Sequence, residues 1–153
     1  KWPLRNYRMF LVSIYGHQAT DRMFADIEEL CINTLLSVQK TMISDRHCFE
    51  MYGYDILVDD TLKPWLIEVN ASPSISADTI GDYELKFGLL DDVYAVLDVE
   101  GKSQQRDDGK LEQNVGGFDL VYHGGPMKPD RLATHTSQLG CYHERRHAAG
   151  RNL

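Results

Sequence analysis

The feature that most constrains the fold is a pair of strand-like segments joined by a very short connection. Residues 50–59 and 64–70 are rich in β-branched and aromatic side chains, and only residues 60–63 separate them. Such runs are typical of β-strands. Because so short a connection joins neighbouring strands that run in opposite directions, the sequence predicts an antiparallel β-hairpin.

A loop of residues 60–63 would also fix which residues face one another. Asp59 would then lie opposite Pro64, and every other pair follows by counting along both strands. One face would carry only apolar pairs: Tyr54 with Val69, Ile56 with Ile67 and Val58 with Trp65. The other face would pair Leu57 with Leu66, Asp55 with Glu68, and Gly53 with Asn70.

Two carboxylates are therefore expected to stand across from each other beside a carboxamide. Like charges at such cross-strand positions destabilise a sheet, which favours a cation between them. Asp55, Glu68 and Asn70 offer hard oxygen ligands that suit Mg²⁺, with waters and phosphates completing its shell. Gly53 would leave room for a ligand to approach. The residues alone are equally compatible with a solvated acidic edge, or with one carboxylate that its neighbour keeps protonated.

Helical periodicity flanks the hairpin on both sides. From Thr20, a favourable N-cap residue, apolar residues recur at three- and four-residue steps as far as Met42, and residues 82–97 repeat this spacing. The sequence thus predicts an α/β (α+β) arrangement of helix, antiparallel hairpin and helix. Residues 101–114 predict a linker, residues 115–122 one short strand, and residues 123–153 a disordered tail rich in His, Arg and Gly.

Charge and hydropathy exclude several classes of protein. Residues 1–100 contain 17 Asp or Glu against 8 Lys or Arg, so this acidic body is not expected to bind nucleic acid. The apolar stretches, such as residues 9–14, are too short to cross a membrane. Three cysteines without paired spacing predict reduced thiols in the cytoplasm. Lys1 in place of an initiator Met suggests a piece of a longer chain.

The hairpin sequence also resembles the signature of tubulin tyrosine ligase-like enzymes. The resemblance is carried by residues 49–55, FEMYGYD, and residues 62–74, LKPWLIEVNASPS. Residues 52–55 and 68–71 are more similar to the glutamate-adding branch than to the glycylases or the tyrosine ligase. Lys1, Trp2 and residues 116–122 resemble glutamylases of the cilium-associated branch, so the resemblance covers residues 1–122.

This resemblance implies that residues 1–122 form the C-terminal portion of an ATP-grasp fold. Asp55, Glu68 and Asn70 fall on the family's Mg²⁺ ligands, with Glu68 as the catalytic residue bridging two ions. The implied activity is an ATP-dependent ligation of glutamate to glutamate side chains in the acidic C-terminal tails of tubulin. The implied location is the cytoplasmic cytoskeleton, at a cilium axoneme or basal body, and further ligase-complex subunits could take part.

Some further residues are weaker candidates. Lys86 is a candidate cofactor ligand that could reach a phosphate or the incoming amino acid, although an ion pair with Asp82 is the simpler interpretation. Cys31 lies on the apolar stripe of the first helix and is interpreted as a buried core thiol. The spacing of the metal-ligand types in the tail fits no zinc site. These residues are His135, Cys141, His143 and His147.

Three hypotheses follow from the sequence. The chain could be part of a tubulin polyglutamylase, or of an ATP-grasp carboxylate-amine ligase with another substrate. It could instead be a noncatalytic module that binds microtubules or a ligase complex. Facing carboxylates favour the two enzymes, whereas the expected lack of the family's upstream lobe, and hence a partial active site, favours the module.

Overall fold

The computed structural model describes residues 2–43, 45, 48–99 and 113–127. Helix α1 spans Leu4–Val38 and is followed by strands β1, Gly53–Val58, and β2, Pro64–Asn70. Helix α2 spans Ile80–Leu97, and two short strands follow, β3 at Asn114–Val115 and β4 at Phe118–Asp119. The predicted α+β class and the order of helix, antiparallel hairpin and helix are confirmed. The chain divides into two compact units, Lys1–Ser74 and Ile75–Leu153, and the single domain predicted for residues 1–122 stays a prediction.

Helix α1 begins well before the predicted start, and Thr20 is not an N-cap. The helix is interrupted at Gly16, whose φ of 80° and ψ of 168° form a conformation open essentially to glycine alone. Thr20 lies inside the second helical segment, where its hydroxyl donates to the Gly16 carbonyl at 2.8 Å. The helical segment that contains Thr20 therefore begins after Gly16, and the apolar spacing alone did not show this. Met42, predicted on the helix, lies in the bend that follows it.

The break at Gly16 folds the two segments of α1 back on each other. The Arg8 guanidinium lies 4.8 Å from the ring centroid of Phe24 and forms an ion pair with Asp21. In a straight helix Arg8 and Phe24 would be roughly 24 Å apart along the axis, so these contacts require a bend. Among the described residues, the buried apolar side chains lie on both sides of the break. They are Leu11, Met23 and Phe24.

The register of the β1–β2 hairpin agrees with the prediction at one end and differs at the other. Gly53 faces Asn70, Tyr54 faces Val69 and Asp55 faces Glu68, all as predicted. Beyond Asp55 the pairs are instead Ile56 with Leu66, Leu57 with Trp65, and Val58 with Pro64. The predictions that Ile56 faces Ile67, that Leu57 faces Leu66 and that Val58 faces Trp65 are therefore wrong.

The physical reason is a longer loop combined with a β-bulge. Residues 59–63 rather than 60–63 lie between the strands, because Val58 instead of Asp59 faces Pro64. The Asp59 amide closes this loop by donating to the Lys63 carbonyl at 3.1 Å. The longer loop shifts the pairing by one residue at the tip. One extra residue on β2, Ile67, lies between the partners of Ile56 and Asp55 and shifts the pairing back.

The two faces of β1 have different surroundings. Tyr54, Ile56 and Val58 are half-buried, whereas Asp55 and Leu57 on the opposite face are exposed. The Tyr54 hydroxyl donates to the Cys31 carbonyl of α1 at 3.5 Å, and burial raises the pKa of Tyr54. Burial and, to a lesser extent, Glu28 also raise the pKa of the Cys31 thiol, which is half-buried rather than fully buried as predicted.

Helix α2 agrees with the predicted segment to within its first turn. The Thr79 side chain caps it by accepting from the Asp82 amide at 3.2 Å. At the other end Asp98 adopts a left-handed conformation, and its amide donates to the Tyr94 carbonyl at 3.1 Å. Neither described helix combines the length and the apolar character needed to cross a bilayer.

The chain after residue 112 forms a second, smaller hairpin. Instead of one strand over residues 115–122, strands β3 and β4 pair through a turn at Gly116 and Gly117. Hydrogen-bonded structure continues past the predicted tail boundary, because Tyr122 bridges Pro126 and the Met127 amide donates to the Val121 carbonyl at 2.9 Å. The linker predicted for residues 101–114 ends too late, because Asn114 belongs to β3. Residues 101–112 of that linker, and residues 128–153 of the predicted tail, lie outside the described residues.

Candidate active site

Three predicted ligands converge on the exposed face of the β1–β2 hairpin. The Asn70 side-chain amide donates to Glu68 Oε1 at 3.1 Å and to Asp55 Oδ2 at 3.4 Å. The bulge allows this convergence, because the loop register continued without a bulge would pair Glu68 with Tyr54 and turn it to the other face. The structure thus brings Asp55, Glu68 and Asn70 together, and their role in binding a metal stays a prediction.

The negative charges of Asp55 and Glu68 on this face favour the binding of a cation. In the described part of the chain, neither Asp55 nor Glu68 forms an ion pair with Lys, Arg or His, and Asn70 supplies only neutral N–H donors. Two facing carboxylates repel each other, with a cost of about 0.2–1 kcal/mol for a cross-strand pair. Bound Mg²⁺ would remove that repulsion.

The donor set fits a hard divalent cation. Two carboxylates and one carboxamide supply only oxygen ligands once the Asn70 carbonyl oxygen, rather than its nitrogen, faces the carboxylates. Across the described ranges there is no group of three or more His, Cys, Asp or Glu side chains placed to hold a metal. The third protein ligand of this site would therefore be the amide, with phosphates and waters completing the coordination.

The space beside Gly53 is filled by a neighbouring side chain of the protein. A Cβ atom at Gly53 would lie 3.2 Å from the Pro73 Cβ, closer than ordinary packing allows. The glycine therefore lets the segment that follows Asn70 pack against β1. The prediction that Gly53 leaves space for a ligand is wrong at this position, because Pro73 occupies that space.

The sequence analysis did not identify Asp59, which organises the hairpin loop. Its carboxylate accepts from the Thr61 amide at 2.9 Å, from the Thr61 hydroxyl at 2.7 Å and from the Lys63 amide at 3.0 Å. It also accepts from the Trp65 indole N–H at 2.9 Å. The signal that could have found it is an Asp at the first loop position with a Thr two residues later, a common turn-forming arrangement.

Lys86 forms the predicted ion pair. Its Nζ lies 3.2 Å from Asp82 Oδ2 and also donates to the Ser76 carbonyl. Both side chains are mostly buried, at 21% and 8% exposure, so the pair helps to fix the first turns of α2. Lys86 belongs to the second unit, and its assignment as a cofactor ligand stays a prediction.

Residues 1–106, which include both strands of the candidate site, match the Tubulin-tyrosine ligase family. The chain belongs to this family. Its α+β order is consistent with part of the ATP-grasp domain that the sequence resemblance implied.

Curated relatives in the tubulin-tyrosine ligase family support this assignment. The chain is 46% identical over 156 residues to "Probable tubulin polyglutamylase TTLL9" of Bos taurus, covering 95% of this chain and 32% of the relative. It is 42% identical to "Probable tubulin polyglutamylase ttll-9" of Caenorhabditis elegans, over 89% of this chain and 32% of the relative. It is 41% identical to "Probable alpha-tubulin polyglutamylase Ttll1" of Tetrahymena thermophila, over 80% of this chain and 30% of the relative. The chain therefore spans about a third of the length of these relatives.

Proposed function

We propose that this chain provides the Mg²⁺-binding hairpin of an ATP-dependent ligase that adds glutamate to glutamate side chains of tubulin. The observation that carries the proposal is the opposition of Asp55 and Glu68, bridged by the Asn70 amide. The names of the relatives support tubulin polyglutamylation as the reaction.

Each candidate ligand has a distinct role in this proposal. Glu68 would hold the cations with its two carboxylate oxygens, and Asp55 and Asn70 would supply the other protein ligands. When bound, Mg²⁺ neutralises charge on the ATP phosphates and helps to align the reacting oxygens. The hairpin fixes the spacing of the three ligands, so little reorganisation is required when the ions and the nucleotide bind.

The proposed reaction has two steps. An acceptor carboxylate in a tubulin tail attacks the γ-phosphorus of ATP, and ADP leaves. The amine of free glutamate then attacks the acyl phosphate, an amide bond forms, and phosphate leaves. Tubulin tails and glutamate are therefore the proposed substrates, with the cytoskeleton, and cilia in particular, as the site of action and further ligase subunits as candidate partners.

The proposal is tested by incorporation of labelled glutamate into polymerised tubulin. The assay uses a polypeptide of the relatives' length that carries this segment, with ATP and Mg²⁺. We expect Glu68→Gln to lower incorporation by ~100-fold or more, comparable to removing one preorganised electrostatic contact. Asp60→Asn, a matched change of an exposed carboxylate in the hairpin loop, should leave the rate nearly unchanged.

The outcomes separate the enzyme from a binding module. Full activity of the Glu68→Gln variant would remove Glu68 from the mechanism. If the unsubstituted protein binds microtubules but incorporates no glutamate under any metal condition, the hairpin belongs to a noncatalytic module and the proposal fails.

A further inference from the structure

The β-bulge determines which residues share a face with the candidate metal ligands. Residues directly opposite each other in an antiparallel pair lie on the same face, and alternate residues of a strand share a face. Leu57 shares its face with Asp55, and the observed register places Trp65 opposite Leu57. Trp65 therefore lies on the exposed face that carries the two carboxylates, which is called the carboxylate face below.

Two registers of the hairpin are compatible with the same ligand pairs. With a loop of residues 60–63 and no bulge, Asp55 would still face Glu68, but Trp65 would face Val58 on the face that packs against α1. With the observed loop of residues 59–63 and a bulge at Ile67, Trp65 lies on the carboxylate face. The choice of loop thus decides the position of Trp65 without separating Asp55 from Glu68.

Contacts in the loop favour the observed register. Asp59 Oδ1 accepts from the backbone amides of Thr61 and Lys63, at 2.9 and 3.0 Å. Its other oxygen, Oδ2, accepts from the Trp65 indole at 2.9 Å. The Lys63 ammonium lies 3.8 Å from the Trp65 ring centroid. The Asp59 carboxylate therefore hydrogen-bonds both the loop backbone and Trp65, the side chain that lies on a different face in each register.

The loop also contains a residue in an unfavourable conformation. Leu62 has a φ of 65°, in the left-handed region that residues with a Cβ atom rarely occupy. Such a conformation persists only where surrounding contacts hold it. The Asp59 carboxylate accepts hydrogen bonds on both sides of Leu62, at Thr61 and at Lys63. Two backbone bonds add to them, from the Leu62 amide to the Asp59 carbonyl and from the Asp59 amide to the Lys63 carbonyl, both at 3.1 Å.

We propose that Asp59 is a positioning residue that selects the bulged register and thereby keeps Trp65 on the carboxylate face. The Oδ1 bonds hold the five-residue loop, and the Oδ2 bond holds the indole. The inference concerns the surface beside the candidate metal ligands and does not depend on the identity of the reaction.

The ionisation of Asp59 supports this role. Hydrogen bonds from Thr61, from Trp65 and then from Lys63 hold the pKa of Asp59 well below its usual range. A carboxyl whose pKa is lowered on folding adds stability above its unfolded pKa of about 3.9, and that contribution is lost only as the pH falls through the lower folded value. The register should therefore persist through mildly acidic pH.

The test uses NMR of the isotope-labelled chain, with cross-strand NOEs as reporters of register. The unsubstituted chain should show Leu57–Trp65 and Ile56–Leu66 NOEs. Asp59→Ala should weaken both and produce Ile56–Ile67 and Val58–Trp65 NOEs, while Tyr54–Val69 NOEs persist. Asp60→Asn, in the same loop, should leave every one of these NOEs as it is.

A second set of variants separates the two oxygens of Asp59, and it decides the question if the alanine variant does not fold. Asp59→Asn retains Oδ1 for the loop amides but presents an N–H group to the Trp65 indole, so the loop should keep its conformation while the hydrogen bond to the indole breaks. Trp65→Phe removes the indole donor. Because both variants break the same hydrogen bond, the double variant should shift the Leu57–Lys63 region no more than the larger single change.

These measurements can overturn the inference independently of the proposed function. Unchanged Leu57–Trp65 NOEs in Asp59→Ala would show that Asp59 does not select the register. Additive effects of Asp59→Asn and Trp65→Phe would show that its Oδ2 bond does not hold the indole, which overturns the inference as well. An equal shift in Asp60→Asn would show a nonspecific loop effect and would also overturn it. A failed glutamylation assay leaves all of these outcomes unaffected.

Discussion

The two hairpins in the described part of the chain are stabilised by carboxylates in different ways. In β1–β2, the loop is held by Asp59, which belongs to the loop itself. In β3–β4, the Gly117 amide donates to Asp92 Oδ2 at 2.9 Å, and Asp92 lies on helix α2. The first hairpin therefore carries its own fixing group, whereas the second depends on a residue far away in sequence.

This difference has a consequence for function. A hairpin that fixes its own loop and packs one face on α1 can leave its other face exposed, and that face carries Asp55 and Glu68. In the second hairpin the acidic group is used by the turn, and Asn114 donates to Asp119 across the strands. The contrast predicts that substitution of Asp55 or Glu68 mainly affects chemistry, whereas substitution of Asp92 mainly affects the stability of the second hairpin.

The largest expected effect concerns the two facing carboxylates together. Asp55→Asn and Glu68→Gln should each lower glutamate incorporation by ~100-fold or more, and the double variant should lose much less than the product of the two effects. Such nonadditivity is expected because both residues would hold the same ions. Glu84→Gln, an exposed carboxylate of the second unit, is the control. Multiplicative losses in the double variant would show that the two residues act separately.

An intermediate effect is expected from alanine at two glycines, one at each hairpin. Gly116 has a φ of 58°, and a Cβ atom there would overlap the Asp92 carboxylate, so Gly116→Ala should destabilise the second unit by about 1–3 kcal/mol. Gly53 has no positive φ, and its added Cβ would meet Pro73 at 3.2 Å, so Gly53→Ala should cost less. Urea unfolding with NMR reporters in each unit measures both. A larger loss at Gly53 would reverse the comparison.

The smallest effect should have the opposite sign. In the absence of divalent cations, Asp55→Asn removes the repulsion with Glu68 and should stabilise the first hairpin by about 0.2–1 kcal/mol. Urea unfolding in EDTA, compared with unfolding in excess Mg²⁺, tests this. A loss of stability in EDTA would show that some other group already balances the two charges.

The sequence predicted the candidate site better than it predicted the elements around it. Alternation along the strands was enough to place Asp55 opposite Glu68, because both candidate registers share that pair. The predicted loop length was wrong because Asp59 belongs to the loop. Strand propensity does not account for the side-chain hydrogen bonds that hold Asp59 there. The start of α1 was missed because Gly16 interrupts the helix without ending it.

Sequence patterns predicted the second hairpin less well than the first. Its strands contain two residues each, too few for an alternating pattern to be recognised. Its turn is fixed by Asp92, a residue of α2 that no local pattern connects to Gly116 and Gly117. The local pattern therefore indicated one short strand over residues 115–122, and the family resemblance marked residues 116–122, but neither predicted a hairpin.

Binding of a divalent cation by Asp55, Glu68 and Asn70 can be measured by titrating the labelled chain with Mn²⁺ and then displacing it with Mg²⁺. We expect paramagnetic broadening to begin at these three residues, to be reversed by Mg²⁺, and to be strongly reduced in Glu68→Gln but not in Asp60→Asn. Broadening that begins elsewhere, or that is unchanged in Glu68→Gln, would contradict this expectation.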